Sequence, residues 1–517
     1  MPRLSRATRT FEAPAMKRRE SPAASFRPAI DRTLTISATR QLYLALRDAI
    51  MTGTLRPGHR LPSTRLAMRE WGLSRGLVAE AYELLMAEGY AEARHGSGTY
   101  VAADLPEALP GAPSIARKAA ASPPRRFAPQ AERLLRSPGP PERRTLPFAA
   151  GRVLHDKRTA NLLRRIAARH LDFGSDGYGD PQGLPSLRQG IADYLAASRG
   201  VRCTAAQIFV TAGTQQALDL ACRVLIAPGD AVLIEDPCYP PARAVFTLNG
   251  ARLIGLPVDQ HGLRIDSFDK AAERPAAVYV TPSHQYPLGA TLSLQRRLQL
   301  LQLARETGCW IIEDDYDSEF RYEGAAIASL QGLDGDGRVL YAGTFSKALL
   351  PSIRLGYLVV PSDLAPAFRA VRPALDVFPP SLPQRIVADY LGEGHFAAHL
   401  RRLRESFRAS RDDLVGRLKD SLAAHLIADA PEQGIFLTAR STGTWTDDVR
   451  LAKAAEAAGV VVVPVSPMHI AAPAKDHLIF GFSGLSRDEA EAGIERLVQV
   501  FDQRPASAAP SVRTQRI

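Results

Sequence analysis

Four cysteines in 517 residues, Cys203, Cys222, Cys238 and Cys309, are too few and too scattered for a disulfide framework or a CxxC metal clip. They suit a reducing interior, so a cytoplasmic chain without a metal site is expected. No apolar run approaches the roughly 18 residues of a membrane span, and no membrane partner is expected. The opening MPRLSRATRTFEAPAMKRRE is basic but lacks the apolar stretch of a secretory signal. The 38 glycines and 39 prolines follow no period, which excludes a collagen-like rod. With 45% hydrophobic and 23% charged residues the chain is compositionally globular, and wholesale disorder is excluded too.

What is present is unevenly distributed. Residues 1–146 carry 24 Lys and Arg against 13 Asp and Glu, and thereby hold the whole net charge of +11. Residues 147–517 are balanced, with 41 of each sign. A basic front on a neutral back points to a polyanion partner for one module and a separate role for the other. Composition divides the chain further. Residues 1–35, rich in Arg, Ala, Pro and Ser, read as a disordered basic arm. A patterned module follows over 36–102, then a Pro/Ala/Arg-rich linker over 103–146. Residues 147–504 form the large module and 505–517 a frayed tail.

In the small module, TRQLYLALRDAIMTG has apolar residues at helical spacing (Leu42, Leu44, Ala45, Leu46, Ala49, Ile50) and a stop at Gly53. Ser63 caps a short helix closed by Gly72, and Ser74 caps a third that ends at Gly89. YAEARHGSGTYVA then reads as two strands around a glycine tip. Three helices and a hairpin in about 65 residues make a winged helix-turn-helix layout, whose third helix enters the DNA major groove N-terminus first. Ser74 and Arg75 occupy that position, where an Arg forks onto guanine and backbone amides favour phosphate. Arg65, and Arg94, His95 and Gly96 at the wing, are placed for the phosphate backbone. Any one of these arginines alone would read as a solvated helix face. The string from LRPGHRLPSTR to GSGTYVA resembles the GntR-type DNA-binding domain over nearly its whole length, which implies double-stranded operator DNA as a partner.

The large module alternates β-rich runs (QIFVTAG, DAVLIEDP, AAVYVTP, CWIIEDDY, RVLYAGTF) with helical periodicity, so a parallel sheet covered by helices on both faces is expected. Lys347 ends one such strand behind Thr344 and Ser346, placed to form a Schiff base with an aldehyde cofactor. Arg354, seven residues on, is a cation for a phosphate with those hydroxyls. In Trp310–Tyr316 the carboxylates Asp314 and Asp315 point to opposite sides of a strand. A carboxylate against a protonated pyridine nitrogen keeps pyridoxal phosphate an electron sink, and Asp314 with Tyr316 suits the ring nitrogen and phenolic oxygen. Acidic clusters also bind Mg²⁺ or Ca²⁺, but that reading leaves Lys347 and Arg354 without a role. Gly213, Thr214 and Gln215 open a helix whose amides suit a phosphate, and Tyr239 offers a ring to stack on the pyridine.

YGDPQGLPSLR, VTAGTQQALDL, EDPCYPPAR, TPSHQYPLG, EDDYDSEFRY and GTFSKALLPSIRLGY resemble the fold-type I aminotransferase domain of the MocR family. Its members are GntR-type regulators fused to an aminotransferase-like domain that binds pyridoxal phosphate. The resemblance covers about residues 40–101 and 147–500. It implies an α/β architecture: a winged helix-turn-helix, then a fold-type I domain with a parallel-rich sheet and a small C-terminal subdomain. It also implies Lys347 as the Schiff-base lysine, Asp314 and Tyr316 as ring partners, and Tyr239 against the ring. Thr214, Gln215, Thr344, Ser346 and Arg354 would form the phosphate cup. Tyr178 would reach the phosphate of a neighbouring subunit, so a head-to-tail homodimer is implied.

Two departures bear on the ligand. Aminotransferases of this fold carry an N-P-x-G string where this chain has Tyr286-Pro287-Leu288-Gly289, preceded by Ser283-His284-Gln285. Near the end, where many relatives place an Arg for a substrate carboxylate, stands Ile479. Losing a bidentate clamp costs about 2–5 kcal/mol of carboxylate binding. Arg243 and His477 are the candidates to replace it, against an ordinary surface or helix role for either. The leading expectation is a transcription regulator that senses pyridoxal phosphate, or an amine that condenses with it, through an aldimine at Lys347. An active aminotransferase with an auxiliary DNA-binding domain is the alternative. A cofactor-free scaffold is the third.

Overall fold

Ser37, Ser63 and Ser74 each turn a side-chain oxygen onto a backbone N–H of the first turn that follows, and three helices start there: α1 (Ala38–Met51), α2 (Thr64–Trp71) and α3 (Arg75–Ala87). Gly72 ends α2 in the left-handed conformation. On α3 the buried positions Val78, Ala81, Tyr82 and Leu85 repeat at helical spacing and face α1, where Tyr43 rather than Leu44 joins the core. The Tyr82 hydroxyl donates to the Pro62 carbonyl, 2.9 Å away, and fixes the turn before α2. β1 (Ala91–Arg94) and β2 (Gly98–Val101) pair antiparallel as the wing, with Arg94 opposite Gly98.

The computed structural model describes residues 26–31, 34, 36–106, 127–135, 145–153, 156–171, 177–324, 327–442, 445–471 and 474–503. Residues 1–125 and 126–517 form two separate units. Most of the expected arm and linker, and the tail, lie outside the described residues. Two described pieces differ from expectation. Residues 26–31, assigned by composition to a disordered arm, are docked on the winged helix. Phe26 meets the Trp71 ring edge-on at 6.1 Å and accepts a hydrogen bond from the indole N–H at 2.8 Å, and Arg27 donates to the Glu70 carbonyl at the end of α2. Gln41 donates to the carbonyls of Asp31 and Ile36. One aromatic ring and one amide are enough to order a segment whose composition is otherwise that of a linker. Within the expected linker, Pro129–Leu135 is helical without burying a side chain.

In the large unit, the main sheet runs β3 (Ile208–Thr211), β10 (Gly356–Val359), β9 (Val339–Thr344), β8 (Trp310–Asp315), β7 (Ala277–Val280), β4 (Ala231–Asp236), β5 (Arg252–Asp259), with the two-residue β6 (Gly262–Leu263) at the edge. All pairs are parallel except those made by β10 and β6. Alternate residues enter separate cores on the two faces: Phe209, Ile234, Tyr279, Ile312 and Leu340 on one, Val210, Tyr341 and Tyr357 or Leu233, Val278 and Ile311 on the other. A second sheet, ordered β11 (Leu426–Ala428), β12 (Phe436–Ser441), β14 (His477–Gly481), β13 (Val463–Pro464), is wholly antiparallel and shares a core with helices His395–Leu422 and Arg487–Asp502.

Candidate functional site

The carboxyl ends of β3, β4, β7, β8 and β9 lie along one edge of the main sheet, where ligands of open α/β folds bind. Being antiparallel, β10 brings its amino end to that edge: Gly356 pairs with both Thr211 and Thr344. Arg354, two residues earlier, is thereby delivered beside Gly213. A Cβ on Gly213 would lie 3.6 Å from both terminal nitrogens of the guanidinium, which donates to the Ala212 carbonyl. Gly213 has φ +98° and precedes helix Thr214–Leu225, whose first amides open beside Arg354. Gly356 could not be another residue, since its Cβ would fall 2.7 Å from the Gly213 Cα. Of the two hydroxyls expected in the cup, Thr344 is turned inward. It is buried, accepts from the Ser346 amide at 3.1 Å and lies 3.4 Å from the Leu355 carbonyl.

Asp314 and Asp315 face opposite sides of β8. Asp315 pairs with the buried Arg199 at 2.9 Å and accepts from Tyr341 at 2.6 Å. Asp314 Oδ2 accepts from the Tyr279 hydroxyl at 2.8 Å, while its Oδ1 is buried with no hydrogen-bond partner. Burial pushes the Asp314 carboxyl up to about 7, against the Tyr279 bond that lowers it. Lys347 follows β9, which pairs with β8, and its Nζ lies where a Cβ on Gly151 would come within 2.7 Å. Tyr316 donates to the His284 carbonyl at 2.8 Å. The Tyr239 and Tyr316 rings flank Tyr286 at 5.2 and 6.3 Å.

These groups suit pyridoxal phosphate: an amine for the aldehyde, a buried carboxyl oxygen without a donor for the ring nitrogen, and helix amides beside an Arg for the phosphate. Among the described residues, no group of three or more His, Cys, Asp and Glu is placed to hold a metal ion. Tyr178 stands apart, 88% exposed and edge-on to Phe378 at 5.8 Å.

Residues to which the sequence analysis gave no role also shape the site. His284, 1% exposed, has Nδ1 2.8 Å from Asp317 Oδ2, and no side chain would fit at Gly434 beside its ring. Arg372, fully buried, grips Asp376 and the Val210 carbonyl. Asp376 in turn accepts from Gln216, whose side-chain oxygen accepts from the Ala212 amide. Neither candidate for a carboxylate clamp is spare: Arg243 donates to the carbonyls of His469 and Pro467, and His477 Nδ1 lies 2.8 Å from Asp476. Ile479 is fully buried.

In the small unit, Arg65, Ser74, Arg75, Arg94, His95 and Gly96 are all exposed. Arg65 and Arg75 sit in the first turns of α2 and α3, and the Ser74 hydroxyl is spent capping α3. Arg94 is held by Glu92 at 2.7 Å and lies 4.5 Å over the Tyr100 ring. Arg60, not singled out in the sequence, bridges to Tyr100 and packs its guanidinium against Gly98, so it is a second cation at the wing.

Comparison with known proteins matches each unit to its own family profile, and full-length relatives join the two. The profile of bacterial regulatory proteins of the gntR family matches residues 38–101, and that of aminotransferase class I and II matches residues 143–497. The chain is 38% identical over 491 residues to the probable rhizopine catabolism regulatory protein MocR of Rhizobium meliloti, covering 93% of this chain and 97% of that one. It is 33% identical to the pyridoxine biosynthesis transcriptional regulator PdxR of Corynebacterium glutamicum, covering 79% and 87%. Among solved structures, an archaeal alanine:glyoxylate aminotransferase superposes with a TM-score of 0.64 at 30% identity, over 69% of this chain and 90% of that one. The α-aminoadipate aminotransferase LysN of Thermus thermophilus, solved with N-(5'-phosphopyridoxyl)-L-leucine, gives 0.64 at 27%, over 72% and 95%.

Proposed function

The chain belongs to the MocR-type regulators, GntR-family winged-helix proteins fused to a fold-type I aminotransferase-like domain, and from that premise we propose that its large unit holds pyridoxal phosphate at Lys347 and senses that cofactor or an amine that condenses with it. One observation carries the reading. The Lys347 amine and the unpartnered Oδ1 of Asp314 belong to adjacent strand ends, with a helix N-terminus and Arg354 on the same sheet edge. When bound, pyridoxal phosphate would supply an aldehyde open to condensation with a primary amine, and Lys347 would be the residue that holds it.

The chain's own residues then have distinct tasks. Asp314 would receive the ring N–H on its unpartnered Oδ1, where a positive ring nitrogen would favour the ionised carboxylate against the burial that raises it. Tyr239 would pack on the ring, and the Tyr316 hydroxyl, which here donates to the His284 carbonyl, would be the partner for the ring oxygen. Thr214 and Gln215 amides with Ser346 and Arg354 hold the phosphate. The exposed Tyr178, set edge-on against Phe378, supports a head-to-tail homodimer in which this knob meets the partner's site. In the small unit Arg75 reads a base edge, while Arg65 and the wing bind phosphates. The relatives are named for different targets, rhizopine catabolism and pyridoxine biosynthesis, which supports a shared regulatory architecture with a ligand particular to each.

Visible absorbance with pyridoxal phosphate, wild type beside Lys347→Ala, followed by binding to the protein's own promoter DNA, tests this reading. A Lys347-dependent band that shifts DNA affinity by about fivefold or more is expected, the low end of ordinary coupling energies. Identical spectra in both proteins would remove Lys347 from the site. Sustained transfer from amino donors at about 1–10³ s⁻¹ would instead favour the enzyme reading.

A further inference from the structure

The side of the site opposite Gly213 and Arg354 is closed by the small sheet, and its chemistry is one-sided. In β12 and β14, Phe436 pairs with Gly481 and Thr438 with Ile479. Residues opposite one another, and those two apart on one strand, share a face of an antiparallel pair, so these four share one. That face looks onto the site. Thr438 donates to the Pro287 carbonyl at 2.7 Å, and the Phe436 ring lies 4.6 Å from that of His284 and 5.4 Å from that of Tyr286. A Cβ on Gly481 would fall 2.5 Å from the Ala149 carbonyl, on the strip leading to Gly151, against which the Lys347 amine lies. Phe436, Tyr286 and Tyr239 thus form a run of ring contacts on this side of the site, and Ile479 shares the face of Phe436.

Among the described residues, the guanidiniums of this region have their terminal nitrogens engaged, and Arg321 Nε is buried without a hydrogen-bond partner. Arg354 stands at the phosphate end, Arg243 donates to two carbonyls, Arg199 to Asp315 and Ser283, and Arg321 to Gln433 and Glu432. The carboxyls here are buried: Asp314, whose Oδ1 is kept for the ring nitrogen, and Asp317, whose Oδ2 lies 2.8 Å from His284 and whose Oδ1 has no hydrogen-bond partner. A carboxylate brought in here would lose its water beside buried acids, with no uncommitted guanidinium fork among the described residues to receive it.

We propose that the amine this site accepts carries no carboxylate, being a primary amine with an uncharged body. The inference rests on reading Lys347 and Asp314 as the cofactor site. Phenethylamine and phenylalanine share a ring and an amine and differ only in the carboxylate. Each is titrated into the full-length protein loaded with pyridoxal phosphate, and the bound chromophore's absorbance is followed. Half-saturation at a concentration at least about tenfold lower for phenethylamine is expected. Ile479→Arg should close or reverse that gap and Ile479→Leu should keep it. The wild-type pair decides the matter even where Ile479→Arg does not fold. An equal or better response to phenylalanine in wild type would overturn the inference and leave the site reading standing. The absence of any Lys347-dependent band would overturn both.

Discussion

In the winged-helix unit the residues proposed to meet DNA are exposed, and the core that carries them is made of others: Leu42, Leu46, Val78, Ala81, Leu85 and Val101 hold the fold, while Arg65, Arg75 and Arg94 project from it. The large unit is built the other way. Asp314, Thr344 and the His284–Asp317 pair are at once site and core, each with at most 6% of its surface exposed. Where function is exposed, a substitution separates binding from stability. Where it is buried, the two are entangled, because a removed group leaves its partner unsatisfied in a low dielectric.

The sharpest break in that comparison comes from Arg372, which touches no expected ligand. Its guanidinium holds Asp376 and the Val210 carbonyl, and Asp376 holds Gln216 against the Ala212 amide at the phosphate cup. Arg372→Ala strands a half-buried carboxylate and a buried carbonyl, at a cost of about 3–5 kcal/mol in denaturant unfolding. Cofactor affinity should fall with it. The same residue braces Val377, a β-branched residue at φ +63°, ψ −64° in a turn closed by Phe378 N–H donating to the Asp376 carbonyl at 2.7 Å. That strained turn presents Phe378 to Tyr178. Loss of Arg372 should therefore also weaken the proposed homodimer, read by sedimentation.

A second expectation concerns pH. Burial raises Glu235, Glu313, Asp314 and Glu319 each to about 7, from ordinary values of 4.5, or 3.8 for Asp314. The folded unit therefore binds more protons than the unfolded chain between about pH 4 and 7. Their contribution to stability is complete below the unfolded values and is lost as pH rises through about 7. Unfolding of the cofactor-free protein should show stability declining across that window. Glu235→Gln should flatten the decline by up to about 1.4 kcal/mol per pH unit. An unchanged slope would mean that Glu235 titrates as it does in the unfolded chain.

How far these features were legible in the sequence follows the same division. The five β-rich runs, the caps at Ser63 and Ser74, and the opposite orientation of Asp314 and Asp315 depend on local periodicity, and the structure has them. Three features depend on contacts between distant residues and had no local signal. Antiparallel β10 carries Arg354 back to the ligand edge. His284 and Asp317 meet across 33 residues. Arg372 ends a helix like any surface Arg until packing encloses it. The docked segment 26–31 was missed for another reason, since composition averages over a window and one Phe26–Trp71 contact does not register in it.

For the exposed half of the comparison, Arg75→Ala should leave stability within about 0.5 kcal/mol while costing about 1–3 kcal/mol of specific DNA affinity, checked by unfolding and by titration of operator DNA. Arg94→Ala should have the smallest effect. Its charge is already paired with Glu92 and its plane rests on Tyr100, so a DNA phosphate must compete with both. The expected loss is below about 1 kcal/mol, equal across DNA sequences, with the salt dependence of binding falling by no more than about one ion. Glu92→Gln turns the argument round: freeing Arg94 from its partner should tighten binding and steepen the salt dependence. If instead Arg94→Ala costs as much as Arg75→Ala, the wing reads bases rather than phosphates, and its exposed surface depends on a single geometry no less than the buried site of the large unit does.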